Sequence, residues 1–149
     1  MKVLFDTNVV LDVLLDREPH VAVAAKLLAL VDNGRMEGSI CATAVTTIYS
    51  IAAKSFGRRR AHEQVCELLT LLEVAPVDRD VLDRALDLDF TDFEDAVLHE
   101  AARNAGAVAI VTRDGVDFAK ATLPVFDPRE LLAAVAAATE WSGAQAAAF

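Results

Sequence analysis

The chain has 149 residues, 54% of them hydrophobic, which is enough for one globular domain with a substantial core. Asp and Glu number 23 against 14 Lys and Arg, a formal net charge of -9 at pH 7. This balance excludes a broadly basic, sequence-blind phosphate binder. It leaves open a nucleic-acid substrate met through a bound cation, because an ion reverses the sign of the field locally.

No apolar run approaches the roughly 18 residues of a membrane-spanning helix; Lys26 interrupts Val21–Val31, and Leu131–Ala138 is brief. Met1-Lys2-Val3-Leu4-Phe5-Asp6 lacks a signal-peptide pattern, so a cytoplasmic protein is expected. Cys41 and Cys66 form no CxxC pair. They indicate neither a disulfide framework nor a thiolate zinc site, and both are expected as small buried hydrophobes.

In chain order, Lys2–Phe5 is a short apolar run that stops at Asp6, as a buried strand does. Asn8–Leu15 reads as a helix, and Pro19 fits the first turn of a second one that ends at Asn33-Gly34. Ser39–Cys41 is a second strand, and Val45–Ser55 returns to helical character before Gly57. Arg58–Leu72 is helical, Val74–Val77 extended, and Arg79–Leu88 helical. Thr91 is the expected N-cap of a helix Asp92–Asn104, with Glu94 completing a capping box, and Gly106 stops it. Ala107–Val111 is the clearest central strand and Leu123–Phe126 the last one, and Pro128 opens a final helix to about Thr139. Strands separated by helices imply an α/β fold with a mostly parallel sheet covered on both faces. Residues 1–138 read as one domain and 139–149 as a tail, either frayed or docked on a partner.

In such a sheet the loops at the carboxyl ends of the strands carry the chemistry. Asp6 follows the first strand directly, Asp92 and Asp95 share a face of one helical turn, and Asp114 and Asp117 follow the Ala107–Val111 strand. Asp12 lies on another helical face from Asn8 and is not expected to converge with them. Each acid has a structural reading as a cap or turn former. Convergence of three separate segments favours a functional one. Clustered carboxylates repel unless a cation sits among them, and oxygen ligands select Mg²⁺ or Mn²⁺. Such an ion suits phosphodiester chemistry.

Phe5-Asp6-Thr7-Asn8-Val9-Val10-Leu11-Asp12 resembles the N-terminal motif of PIN-domain nucleases, the group that includes VapC-type toxins. Asp92-Phe93-Glu94-Asp95-Ala96 resembles their central acidic motif, and Thr112-Arg113-Asp114-Gly115-Val116-Asp117-Phe118 their C-terminal one. The resemblance covers about residues 1–135. It implies a three-layer α/β/α sandwich, an acidic site for Mg²⁺ or Mn²⁺, and endoribonuclease activity. It further implies an antitoxin protein as partner and a homodimer. Carried over by position, Asp6, Asp95, Asp114 and Asp117 are catalytic and metal-binding, with Asp6 and Asp95 the firmest ligands, Asp114 and Asp117 competing for the C-terminal acid or one of them binding through water, and Thr7, Asn8, Asp92 and Thr112 in support. The family usually has a Glu in the helix after the second strand; here Val45-Thr46-Thr47-Ile48-Tyr49-Ser50 holds no carboxylate. Tyr49 falls at the equivalent position, and Thr46, Thr47 or Tyr49 is left to hold water at an ion.

Arg58-Arg59-Arg60 is the one dense basic run and, with Arg113, a candidate RNA contact; Arg113 has Asp114 or a phosphate as expected partner. His20, His62 and His99 share no ligand spacing and read as structural. Dinucleotide, P-loop, serine-hydrolase and zinc-protease motifs are absent. The rival to a nuclease is a catalytically weakened domain that binds RNA or protein, which the missing Glu favours. A receiver-like phosphoacceptor is disfavoured, since one acid follows the first strand and no suitable Lys follows the last ones.

Overall fold

The structure, a computed structural model, describes the backbone of residues 1–147 and the side chains of residues 1–138. Five strands, β1 (Lys2–Phe5), β2 (Glu37–Cys41), β3 (Glu73–Ala75), β4 (Ala109–Val111) and β5 (Val125–Phe126), form one sheet in the order β3-β2-β1-β4-β5. Every pairing is parallel. The helices are α1 (Thr7–Leu14), α2 (Val21–Asp32), α3 (Ala42–Phe56), α4 (Arg58–Leu71), α5 (Arg79–Leu86), α6 (Phe93–Asn104) and α7 (Pro128–Ala147), with a 3-10 turn at Gly115–Phe118. This is the three-layer α/β/α architecture.

The sheet is central because its middle strands, β1 and β4, are apolar on both faces. Val3, Leu4 and Phe5 of β1 and Ile110 and Val111 of β4 are fully buried, as expected of parallel strands with helices on both faces. The chain moves from β1 outward to β2 and β3, then returns across β1 to β4 and β5. Right-handed crossovers therefore place α1–α4 and α5–α6 on opposite faces. α6 packs across β2, β3 and β4, α3 packs on α4, and α2 packs on α7. Gly38 of β2 lets α2 and α4 approach: a Cβ there would meet Leu72 Cδ2 at 2.5 Å and Val31 Cγ2 at 2.9 Å.

Most element boundaries shift by one to three residues from those read in the sequence. α3 begins at Ala42 rather than Val45, which brings Thr43 into the helix. The cap of α6 is Asp92 rather than Thr91; its carboxylate accepts the Asp95 amide at 3.2 Å. Both residues have a capping oxygen, and the extended backbone of Asp92 decides between them. Pro19 lies in the turn before α2, not in its first turn. The final helix runs past Thr139 to Ala147, so the expected tail begins as helix; its side chains and residues 148–149 lie outside the described residues. Cys41 is buried as expected, but Cys66 is exposed on α4, with Sγ 3.7 Å from His62 Nδ1. His99 is fully buried, and its Nε2 accepts the backbone amides of Thr122 at 3.0 Å and Leu123 at 3.4 Å.

Candidate active site

The reversal of strand order between β1 and β4 opens a crevice at their carboxyl ends, where ligands collect in open α/β sheets. Phe5 is in register with Ile40 on one side and Val111 on the other. Asp6 and Thr112 therefore leave the sheet side by side, and the Asp6 amide donates to the Val111 carbonyl at 3.0 Å.

Asp6 is nearly buried and caps α1. Its Oδ1 accepts the Thr7 amide at 2.7 Å, and its Oδ2 accepts the Thr112 hydroxyl at 2.7 Å. Asn8 ties the two strand ends together. Its Nδ2 donates to Asp114 Oδ2 at 2.9 Å and, more weakly, to Thr112 Oγ1 at 3.3 Å and Asp6 Oδ2 at 3.4 Å. Its Oδ1 accepts the Arg113 amide at 3.3 Å. The Asp114 amide donates to Thr112 Oγ1 at 3.0 Å, and the 3-10 turn brings Asp117 to the same side.

A cleft of about 420 Å³ gathers Asp6, Asp92, Asp95, Asp114 and Asp117 in one place. Glu94 joins them from the first turn of α6; the sequence reading had spent that residue on a capping box. The electrostatics express the crowding. Burial, then the charges of Asp6, Asp92, Asp117 and Asp114, push the Asp95 carboxyl up to about 7. Burial likewise raises Asp6, with Asp114 and Asp117 adding to it, while the Thr112 hydroxyl and Thr7 amide pull it back.

The donor set suits a hard divalent cation: carboxylates and hydroxyls, with no thiol or imidazole lining the cleft. Among the described residues, no group of three His, Cys, Asp or Glu stands close enough to grip an ion with the side chains at rest.

α3 turns Thr43, Ala44, Thr47 and Ile51 to the cleft and presents no carboxylate there. Thr46 and Tyr49, expected in support, do not line it; the Thr46 hydroxyl bonds back to the Thr43 carbonyl at 3.1 Å. Positions 43, 47 and 51 are one helical turn apart, and 46 and 49 sit on other faces. Thr43 and Arg17 are cleft residues that the sequence reading missed.

Asp12 stays out of the cleft, as expected, but it is not idle. It is completely buried and takes the Arg113 guanidinium bidentately, Oδ2 to Nε at 2.6 Å and Oδ1 to Nη2 at 3.1 Å. Arg113 thus pairs with Asp12 rather than with Asp114. Arg58, Arg59 and Arg60 are exposed at the start of α4. They follow the end of α3 opposite to Thr43, about 20 Å along the helix axis at ~1.5 Å per residue.

A family model of the PIN domain matches residues 2–115. The chain belongs to the PIN domain family. PIN domains are generally nucleases. Solved structures agree on the fold. A VapBC2 structure from Rickettsia felis, bound to a DNA fragment from the promoter, has a TM-score of 0.66 at 15% identity, covering 85% of this chain and 98% of that one. A toxin–antitoxin complex from Klebsiella pneumoniae gives 0.65 at 22% identity, covering 85% and 97%. VapC20 of Mycobacterium tuberculosis, a sarcin-ricin loop cleaving toxin, gives 0.63 at 18% identity, covering 79% and 94%. No curated protein matches the sequence significantly. Among the described residues of this PIN domain, no helix is long and apolar enough to cross a membrane.

Proposed function

We propose that this PIN domain is an endoribonuclease that hydrolyses RNA phosphodiester bonds with Mg²⁺ or Mn²⁺, acting in the cytoplasm as the toxin of a toxin–antitoxin pair. The observation that carries the reading is the convergence of Asp6, Asp95, Asp114 and Asp117, from three separate segments, on one cleft at the switch point of the sheet. The Asp95 carboxyl, pushed up to about 7 by burial and then by its neighbours' charges, marks a site that positive charge would complete. Asp6, Asp95, Asp114 and Asp117 would hold the ion, with Asp92 and Glu94 at the rim. When bound, the cation supplies neutralisation of the cleft and polarisation of the phosphoryl group.

The remaining work falls to the chain itself. Thr112 and Asn8 fix the carboxylates of Asp6 and Asp114 in mutual orientation. The Thr43 and Thr47 hydroxyls face the strand that enters and can orient water or a phosphate oxygen. An antitoxin and a second copy of the chain are the proposed protein partners. Complexes of toxin with antitoxin among the structural neighbours support the first of these.

The absence of a carboxylate from the cleft face of α3 favours a second reading, a weakened domain that binds RNA or protein without cutting. One assay separates the two. A labelled single-stranded RNA is incubated with the protein and Mn²⁺, with and without excess chelator. Cleavage that the chelator abolishes is expected; RNA bound but intact at every Mn²⁺ concentration would replace the first reading by the second.

A further inference from the structure

The acidic cleft contains one basic side chain, Arg17, among six carboxylates. A phosphodiester entering it is repelled by every carboxylate that a cation leaves uncompensated. Arg17 is therefore placed where an attractive contact has the most to offset.

Its backbone is held from both sides. The Arg17 amide donates to the Asp12 carbonyl at 2.9 Å, and its own carbonyl accepts the amides of His20 at 3.0 Å and Val21 at 2.8 Å. Its side chain is held differently. Asp12 takes Arg113 with both oxygens, at 2.6 and 3.1 Å, while Arg17 Nη1 lies 3.8 Å from Asp12 Oδ1, beyond hydrogen-bond distance. Among the described residues no hydrogen bond engages the Arg17 guanidinium, and its side chain is 37% exposed. A fully buried carboxylate thus steers the cation while leaving its planar fork of N–H donors open to the cleft. The other candidate cations lack this combination: Arg113 is held bidentately by Asp12 and does not line the cleft, and Arg58–Arg60 lie outside it.

We propose that Arg17 is the phosphate-binding residue of the cleft, its guanidinium donating to the non-bridging oxygens of the RNA backbone, with buried Asp12 as the anchor that aims it. The assignment rests on the nuclease reading above and adds the group that meets the substrate. A guanidinium matches a phosphodiester bidentately, where an ammonium acts as a point charge.

The test uses the full chain, Mn²⁺ and a labelled single-stranded RNA of mixed sequence. Arg17→Ala and Arg17→Lys are compared with wild type for KM, kcat and the salt dependence of kcat/KM. Arg17→Ala is expected to raise KM about tenfold, the scale of one charge-assisted contact. Its kcat stays within about threefold, and its log–log salt slope is shallower by about 0.7, one phosphate contact on a single strand. Arg17→Lys keeps the slope and recovers part of KM. A merely structural Arg17 would move melting temperature and leave the salt slope alone. Arg17→Ala with wild-type KM and slope overturns the assignment while the nuclease reading stands. The nuclease reading fails on another result, wild type that leaves the RNA intact. Fluorescence anisotropy with the same RNA then still decides Arg17: weaker binding with a shallower slope in Arg17→Ala upholds the contact, and equal or absent binding in both proteins overturns it.

Discussion

Asp95→Asn is expected to abolish RNA cleavage, at least about 10³-fold in kcat, and at the same time to make the metal-free protein melt at a higher temperature. On the proposed nuclease reading, Asp95 would be a charged ligand of an ion that contributes several kcal/mol to the transition state, and the rate loss follows from removing it. The stability gain follows from the same charge with the opposite sign. In the folded chain the Asp95 carboxyl titrates at about 7, against an ordinary value of 3.8. Between these two values the folded state holds a proton that the unfolded chain releases, so stability falls as pH rises from about 4 to about 7. At pH 8 without divalent ions the folded protein bears that cost in full, and Asn removes it. The gap in melting temperature should close as pH is lowered toward 4. Asp6→Asn should lose as much activity without the gain. Asp6 accepts from Thr7 through one oxygen and from Thr112 through the other, so an amide sets a donor against one of them. Cleavage assays and thermal melts in chelator check both variants. Asp95→Asn that cuts RNA at the wild-type rate would remove the cleft from the chemistry.

The second large effect is on folding. Asp12→Ala takes from Arg113 its bidentate partner among the described residues and leaves a guanidinium, in a side chain only 26% exposed, short of acceptors in a largely desolvated place. Breaking buried pairs in this way costs about 3–5 kcal/mol. The lower end, about 3 kcal/mol, applies because water reaches part of Arg113, and it corresponds to a drop of roughly 10 °C in Tm for a domain of this size. Replacing both residues with leucine should recover most of the loss, since well-packed apolar side chains commonly match a buried ion pair. Urea denaturation of the single and double variants measures the difference. A single variant within about 0.5 kcal/mol of wild type, the range of an ordinary surface change, would show that the pair does not hold the Asp114 loop to α1.

What was legible in the sequence was what local chemistry decides. The apolar run Lys2–Phe5 ends abruptly in Asp6, and Ala107–Val111 ends in Thr112-Arg113-Asp114, so both strand ends and their acids stood out. The motif resemblance joined these segments, and the register of β1 on β4 brings them level. What depends on tertiary placement was not legible. α3 starts three residues earlier than its apolar pattern suggests, which brings Thr43 into the helix, and its packing turns Thr43 and Thr47, not Thr46 and Tyr49, to the cleft. Asp12 meets Arg113 across 101 residues, and no spacing rule reaches that far. Arg17 sits in an undistinguished turn three residues past the end of α1, and only the folded chain shows that it lines the cleft.

Calorimetric titration of Mn²⁺ into the protein at pH 8 and pH 6 tests the central claim, that the acidic cleft is built to be completed by a cation. The ion must displace the proton held on Asp95, so binding is predicted at pH 8, weaker by up to about tenfold per pH unit below 7, and lost when Asp6 and Asp95 are both changed to Asn. Mn²⁺ that binds equally well to the doubly substituted protein, or that does not bind the wild type at either pH, would contradict it.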